Sequence, residues 1–470
     1  MNNVLKYIKV MTNKNQIASD VKHSSSTSTL AHETRKNRQG FFLIIVCCAL
    51  MAVFCGCQKD TDGTFARMNI NEAKSLFIAS SGSGSKIYGV KKSSLKSTSS
   101  MDDEIYEIGF FDKSGKQIIK ENPRHIFDAG NFIIVCFGGN NQENYPEEAY
   151  FVNKSNGLIY AIPQDKLPVI YSYEHIFAGL PEMFMKRLNK VQLDKYGNVY
   201  YVGGSPGIIN TLYKVSPLTS SVINITQFCV VNDDVRFFCV DYEGNILYRA
   251  IKNSYEWVHR YRKAADGSFV NYEIDLQMMY NDIGHQVWTG TDGVMYEINI
   301  EMPMNNRVFI MKMQDGKSNV IIEDLVDENV CRLSGFYVQG RIILVLYNCI
   351  GTNNYLMDVS SESSYKKVSC SLQPNMVVDD KLCYFDNDTY SCTLIDIDTG
   401  QTSLLYSFDK SKLGNYDVDK VMSVTESGIV FSAAQLSDGK YVVAKLDTNG
   451  TINIQQIIEG TVSVVLPLNL

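Results

Sequence analysis

Histidine and tryptophan are scarce in this 470-residue chain, with six His and only Trp257 and Trp288. His23 and His32 precede an apolar run, so His125, His175, His259 and His285 are all that the rest of the chain can offer. That is thin material for a histidine metal site, and no metal or cofactor is assigned from the sequence. The formal net charge is −7 and no block of five or more like charges occurs. Nucleic-acid affinity comes from counterion release over a concentrated basic face, so a nucleic-acid partner is not expected. Walker A, H-E-x-x-H and C-x-x-C patterns are absent too, and with them the chemistries they announce. No apolar run reaches the roughly 20 residues that span a bilayer comfortably.

What is there begins with a polar front end. Residues 1–40 are rich in Ser, Thr, Asn and Lys, and Arg35, Lys36 and Arg38 stand just before "FFLIIVCCALMAVFC", Phe41 to Cys55, fifteen residues without a charge. Positive charge, a short apolar core, then small residues is the order of a signal peptide. The cysteines of "FCGC" do not suggest a redox pair, because no βαβ pattern surrounds them.

Phe54-Cys55-Gly56-Cys57 resembles the lipobox of bacterial lipoproteins, in which a bulky apolar residue and two small ones precede the cysteine that receives lipid. Phe54 stands where Leu is commonest, and Cys55 is an unusual small residue. The resemblance implies removal of residues 1–56, lipidation at Cys57 and attachment to a membrane through that lipid. The following Gln58-Lys59-Asp60-Thr61-Asp62 resembles the acidic signal of surface-exported lipoproteins of some Gram-negative bacteria. It implies an outer-membrane protein exposed at the cell surface, with residues 57–66 as a lipidated tether.

From about residue 65 the chain alternates apolar and polar residues over short runs rich in Tyr, Val, Ile and Phe, interrupted by Gly, Asp and Asn, as antiparallel strands do. One unit recurs: an apolar strand, a tight polar turn, and a second strand with aromatics. Its turns fall at Gly84, Gly130, Gly197, Gly244, Gly293, Gly340, Asp380 and Gly428, and five of the seven intervals lie within 46 to 49 residues. Each is followed by a second hairpin, from "EIGFFDKSGKQII" in the first repeat to "VAKLDTNGTINIQQI" in the last. Four strands per repeat of this length predict an all-β protein, a β-propeller of eight four-stranded blades, or alternatively seven. The closing "TVSVVLPLNL" is suited to complete a blade begun near the N-terminus. Residues 67–470 then form a single propeller, with an insertion near 163–188 that accounts for the one long interval. The "D-x-x-G-N" turns at Asp194 and Asp241, each followed by apolar residues and Tyr, resemble those of NHL, YWTD and PQQ-type propellers. That likeness implies a fold and no functional residue.

Binding on propellers resides in loops held by the rigid blades. The insertion carries Tyr171, Tyr173, His175, Phe177, Phe184 and Met185, the candidate binding residues; packing onto a neighbouring blade is the plainer role for any one of them. Closely spaced oxygens at Asp386, Asn387 and Asp388, and at Asp396 and Asp398, lack the late Glu of a calcium loop and read as turn formers. No catalytic residue is assigned. Cys383 and Cys392 are close enough in sequence to face each other across a hairpin, while cysteines in runs such as "IIVCFG" read as buried free thiols. The leading reading is a lipid-anchored cell-envelope protein whose propeller binds a glycan, peptide or protein partner. The alternatives are a propeller-type glycoside hydrolase or polysaccharide lyase, and a structural scaffold without a small ligand.

Overall fold

Short apolar runs punctuated by turn residues become strands, and the strands become small sheets. The structure is a computed structural model that describes residues 66–467, apart from 71, 83, 92–104, 119–121, 139–144, 171–190, 205–208, 217–223, 253–255, 272–285, 302–306, 327–329, 349–352 and 409. Cys57, the apolar run before it and most of the tether therefore lie outside the described residues. All strand pairing is antiparallel, and the sheets form a β-propeller.

Sheet 1 is ordered Thr461–Pro467, Ala73–Ser81, Gly84–Lys91, Ile105–Glu107. Sheets 2 to 8 follow along the chain, starting at Pro123–Ala129, Leu167–Pro168, Asp233–Val240, Gln286–Thr289, Val330–Val338, Met376–Val378 and Tyr416–Thr425. A ninth sheet has three strands of two residues each: Arg67–Met68, Phe110–Phe111 and Gln117–Ile118. The expectation of eight blades, or alternatively seven, is corrected by this count of nine sheets among the described residues.

The extra sheet lies where the sequence predicts the outer hairpin of the first blade. After Glu107, which stays in sheet 1, "IGFFDKSGKQII" leaves that blade, and Phe110 and Phe111 pair instead with Met68 and Arg67. Sheet 1 has no need of that hairpin, because the chain's last strand fills its inner position, with Phe77 opposite Val465 and Leu76 opposite Leu466. The closing stretch thus does complete a blade begun at the N-terminal end. The same supply of a strand from afar shifts the phase of the first repeat. The turn at Gly84 joins the second and third strands of its sheet, whereas the other seven turns join first and second.

Neighbouring sheets bury each other. A buried cluster lies at each seam, such as Phe127, Ile134 and Phe151 with Val199 and Tyr201 between sheets 2 and 3, and Val443 and Ile458 with Phe77 and Tyr88 between sheets 8 and 1. The ninth sheet is wedged into the seam between sheets 1 and 2, where Met68 and Phe110 join Leu76 and Val135. First strands touch from sheet 2 through sheet 5 and between sheets 6 and 7, and Thr461–Pro467 touches both Tyr416–Thr425 and Pro123–Ala129. A sheet covered on both faces needs apolar side chains at successive positions. Second strands show this: residues 343–348 of Arg341–Asn348 are all buried, whereas the outer strand Lys317–Leu325 is mostly exposed or half-buried.

The turn of sheet 7 shows how strain is balanced between blades. Asp379 and Asp380 both have positive φ, 46° and 60°, a conformation that costs a side-chain-bearing residue energy. Each reaches a different neighbour: Asp380 Oδ1 accepts the Gln339 N–H of sheet 6 at 2.6 Å, and Asp379 Oδ2 accepts the Glu426 N–H of sheet 8 at 2.7 Å. Asp380→Ala keeps the strain and loses the bond, so thermal unfolding should show a loss of about 1–2 kcal/mol. Asp380→Gly relieves the strain and should lose less; equal losses for both variants would refute this account.

Candidate binding surface

The insertion is placed by its two ends. Leu167 and Pro168 pair with Gly204 and Gly203, and Val191 to Leu193 pair with Tyr201 to Val199, along one edge of the same strand, Val199–Gly204. The first strand of sheet 3 is therefore divided, and the long interval is a departure from within it. Tyr171, Tyr173, His175, Phe177, Phe184 and Met185 lie outside the described residues, so none of them can be brought into a site.

The described surface with exposed recognition chemistry is at the first turns of sheets 3 and 4. In Asp194-Lys195-Tyr196-Gly197-Asn198, Asp194 Oδ1 accepts the N–H groups of Tyr196 and Asn198 at 2.9 and 3.0 Å. Its Oδ2 accepts the Asn198 amide at 2.6 Å and the Tyr200 hydroxyl at 2.9 Å. Asp241 repeats the arrangement with the Asn245 N–H at 2.8 Å and side-chain amide at 2.7 Å. Burial pushes the Asp241 carboxyl up, against the hydrogen bonds from Asn245 that favour its charged form. The carboxylates are spent on holding the turns. The two residues between Asp and Gly are left to face outward.

Those residues are Lys195 and Tyr196 in one turn and Tyr242 and Glu243 in the next. The tyrosines are 58% and 45% exposed, well beyond the rings packed in the seams. Lys195 pairs with Glu243 across the two sheets, and the Tyr196 hydroxyl donates to Glu243 Oε2 at 3.2 Å. Lys195 Nζ also stands 5.1 Å from the Tyr196 ring centre. The Lys195 hydrogen bond, then that of Tyr196, holds the Glu243 carboxyl below its usual range, and Glu243 raises the Lys195 ammonium above its own. Both therefore stay charged at neutral pH. Backbone bonds fix the spacing, Lys195 N–H to Tyr242 O at 3.0 Å and Tyr242 N–H to Gly293 O at 3.1 Å. Gly293, at φ 81°, gives the Tyr242 ring its seat, since a Cβ there would stand 2.5 Å from the ring. Two exposed tyrosines on adjacent turns, with the Lys195–Glu243 pair beside Tyr196, can stack on and hydrogen-bond to an extended ligand.

The opposite ends of these sheets hold a second polar cluster, but it is closed on itself. Asp233 accepts from Arg260 Nε at 2.6 Å and from the Tyr248 hydroxyl at 2.8 Å. Asp234 pairs with Arg236 and accepts the Asn210 amide at 3.0 Å, and Asn210 accepts the Tyr145 hydroxyl at 2.5 Å. Of these contacts the Asn210–Asp234 bond joins sheet 3 to sheet 4, while those of Asp233 with Arg260 and Tyr248 lie within sheet 4. No metal-ligating group of three or more His, Cys, Asp or Glu occurs among the described residues. Asp386 accepts from Asp388 N and Thr389 Oγ1, and Asp396 from Asp398 N and Thr399 Oγ1, so both are turn formers in the structure.

Gly203-Gly204-Ser205-Pro206-Gly207 matches a G-x-S-x-G nucleophile elbow in its letters. An elbow needs a helix directly after the serine. Here the chain resumes as strand at Thr211, and Ser205 is outside the described residues. The tyrosine pair was within reach of the sequence, since it occupies the variable positions of the two D-x-x-G-N turns. What no sequence pattern announced is that the two turns are neighbours bonded to each other.

No family model matches the chain, and no curated protein matches it. Solved structures do. One is dipeptidyl peptidase 4 of Porphyromonas gingivalis, at 12% identity and TM-score 0.39, over 72% of this chain and 53% of that one. Another is virginiamycin B lyase of Staphylococcus aureus, 12% identical, TM-score 0.30, over 70% of this chain and 94% of that one. TolB of Acinetobacter baumannii is 12% identical with TM-score 0.27, over 68% of this chain and 61% of that one. The chain spans about half the length of the peptidase it matches.

Proposed function

We propose that this chain is a lipid-anchored protein of the outer membrane, held through Cys57, whose propeller binds a glycan at the turn face of sheets 3 and 4. The observation that carries the reading is the exposed Tyr196 and Tyr242 pair on adjacent, mutually bonded turns, with Lys195 and Glu243 fixed beside it. Tyrosine offers a large rigid face at low entropic cost, and carbohydrate C–H faces stack on such rings while hydroxyls take the charged groups. Signal sequence and lipobox support the address.

A glycan array with the chain from residue 58 onward tests the ligand. Each stacked ring contributes about 0.5–1.5 kcal/mol, so Tyr196→Ala with Tyr242→Ala should weaken binding roughly thirty-fold while leaving the thermal transition in place. Undiminished glycan binding by the double variant would refute the site, and a wild-type chain that binds no glycan would refute the ligand class. The address has its own test. Cys57→Ser should abolish lipid labelling and release the protein from membranes; retention with labelling would overturn it.

A further inference from the structure

Two cations share one aromatic ring near the tyrosine turns, and neither has a counter-ion there. Lys214 lies on the third strand of sheet 3, opposite Tyr200, and Arg262 ends the third strand of sheet 4, opposite Ile246. Both rest on Phe228, in the link between the two sheets: Lys214 Nζ is 5.1 Å from the ring centre and Arg262 Cζ 3.5 Å. Among the described residues neither side chain makes an ion pair or a hydrogen bond. The carboxylates whose fields they feel, Asp194 at Lys214 and Asp266 at Arg262, are already engaged. Asp194 holds its own turn, and Asp266 accepts the Ser268 N–H at 2.8 Å. Burial pushes both cations below their ordinary pKa values; at Lys214 the field of Asp194 opposes that shift and the field of Arg262 adds to it. The ring offsets part of this cost by cation–π attraction but leaves two like charges side by side.

The place is open at its rim and tied to the tyrosine turns. Thr226, opposite Lys214, is exposed, and so is Phe269, opposite Arg262, whose Cζ is 5.6 Å from the Phe269 ring centre. Lys214 Nζ stands 5.6 Å from the ring of Tyr200, whose hydroxyl donates to Asp194 in the Tyr196 turn. Two residues after Arg262, the Ala264 N–H donates to Asn245 Oδ1 in the Tyr242 turn at 2.8 Å. We propose that Lys214 and Arg262 form an anion subsite continuing the Tyr196 and Tyr242 surface, so that the glycan taken there is an acidic one, bearing carboxylate or sulfate groups. This rests on the glycan reading above. Sugar rings stack on the tyrosines, while the ammonium, as a point charge, and the guanidinium, as a planar fork, take the oxygens of an acid group. The chain's net charge of −7 repels a polyanion at large, so affinity for one has to come from a local site of this kind.

The test uses matched probes that differ only in charge, with binding to the full chain read by calorimetry: oligogalacturonate against its methyl ester for carboxylate, and sulfated dextran against dextran for sulfate. The charged member of one pair should bind more tightly than its neutral counterpart. Lys214→Met and Arg262→Met, which keep the apolar stems on Phe228, should each weaken binding of the charged member roughly tenfold and leave the neutral member and the thermal transition unchanged. Arg262→Lys keeps the charge and should keep part of the preference. Lys440→Met, at an exposed lysine of sheet 8, should change nothing. Equal affinity for charged and neutral members, or a preference that survives both Met variants, would overturn the subsite while glycan binding lost in the Tyr196→Ala, Tyr242→Ala variant kept the reading it rests on. A preference lost in the Met variants but untouched by the tyrosine variant would uphold the anion site and remove the tyrosine one. Failure to bind any of the four probes counts against both.

Discussion

Deletion of residues 461–470 is expected to abolish the cooperative thermal transition of the propeller and to make it sensitive to protease at sites far from the cut. Thr461–Pro467 is the inner strand of sheet 1, and its backbone pairs only with Ala73–Ser81. Without it Leu76, Phe77 and Ile78, now at most 1% exposed, lie along an open edge. Each such side chain contributes about 1.5–3 kcal/mol by burial, so three of them approach the whole stability of a typical domain, about 5–15 kcal/mol. Ring contacts go as well: the Val462 N–H donates to Asp419 Oδ2 and Lys420 Nζ to the Ser463 carbonyl oxygen, both at 3.2 Å. A single substitution probes the same closure. Gly460 has φ 126° and would place a Cβ 2.2 Å from the Ser80 carbonyl oxygen, so Gly460→Val should force the strand out of register. Circular dichroism melts and limited proteolysis read both variants, and a truncated chain melting within a few degrees of wild type would sink the closure argument.

Much of this architecture is legible in the sequence because the turns are. The eight turn positions each sit in a real hairpin, since Gly and paired Asp residues mark positive φ wherever a short turn needs it. The ninth sheet was not legible. Two-residue strands carry no periodicity, and Phe110 and Phe111 look the same whether they pair within their blade or with Arg67 and Met68. Non-local pairing also hid the phase shift at Gly84, which depends on a strand almost four hundred residues away. The candidate binding tyrosines of the insertion fall outside the described residues. Tyr196 and Tyr242 were overlooked for a different reason: their turns read as purely structural, and the sequence does not say which hairpin faces of neighbouring repeats meet.

Asp233→Ala should be the most damaging single substitution away from the closing strand. Asp233 is 2% exposed in the seam between sheets 3 and 4, where it accepts from Arg260 and Tyr248. Tyr248 is bound in turn by the Val230 N–H at 3.1 Å, so the carboxylate anchors a connection between the two sheets as well as a charge. Removing one member of a buried ion pair costs about 3–5 kcal/mol, because the remaining charge stays desolvated while its attraction is gone. Asp233→Asn keeps the shape and one acceptor oxygen, and should lose less. Arg260→Met on the Asp233→Ala background removes the stranded charge and should recover part of the loss, which a double-mutant cycle measures directly. Denaturant unfolding of the four proteins decides the matter: additive effects would mean that Asp233 and Arg260 act separately, and would overturn this account. The proposed turn-face site lies on these same two sheets. If the proposed glycan site is there, a loosened connection should weaken binding only as far as it lets the two turns separate, which distinguishes a positioning effect from loss of the site itself.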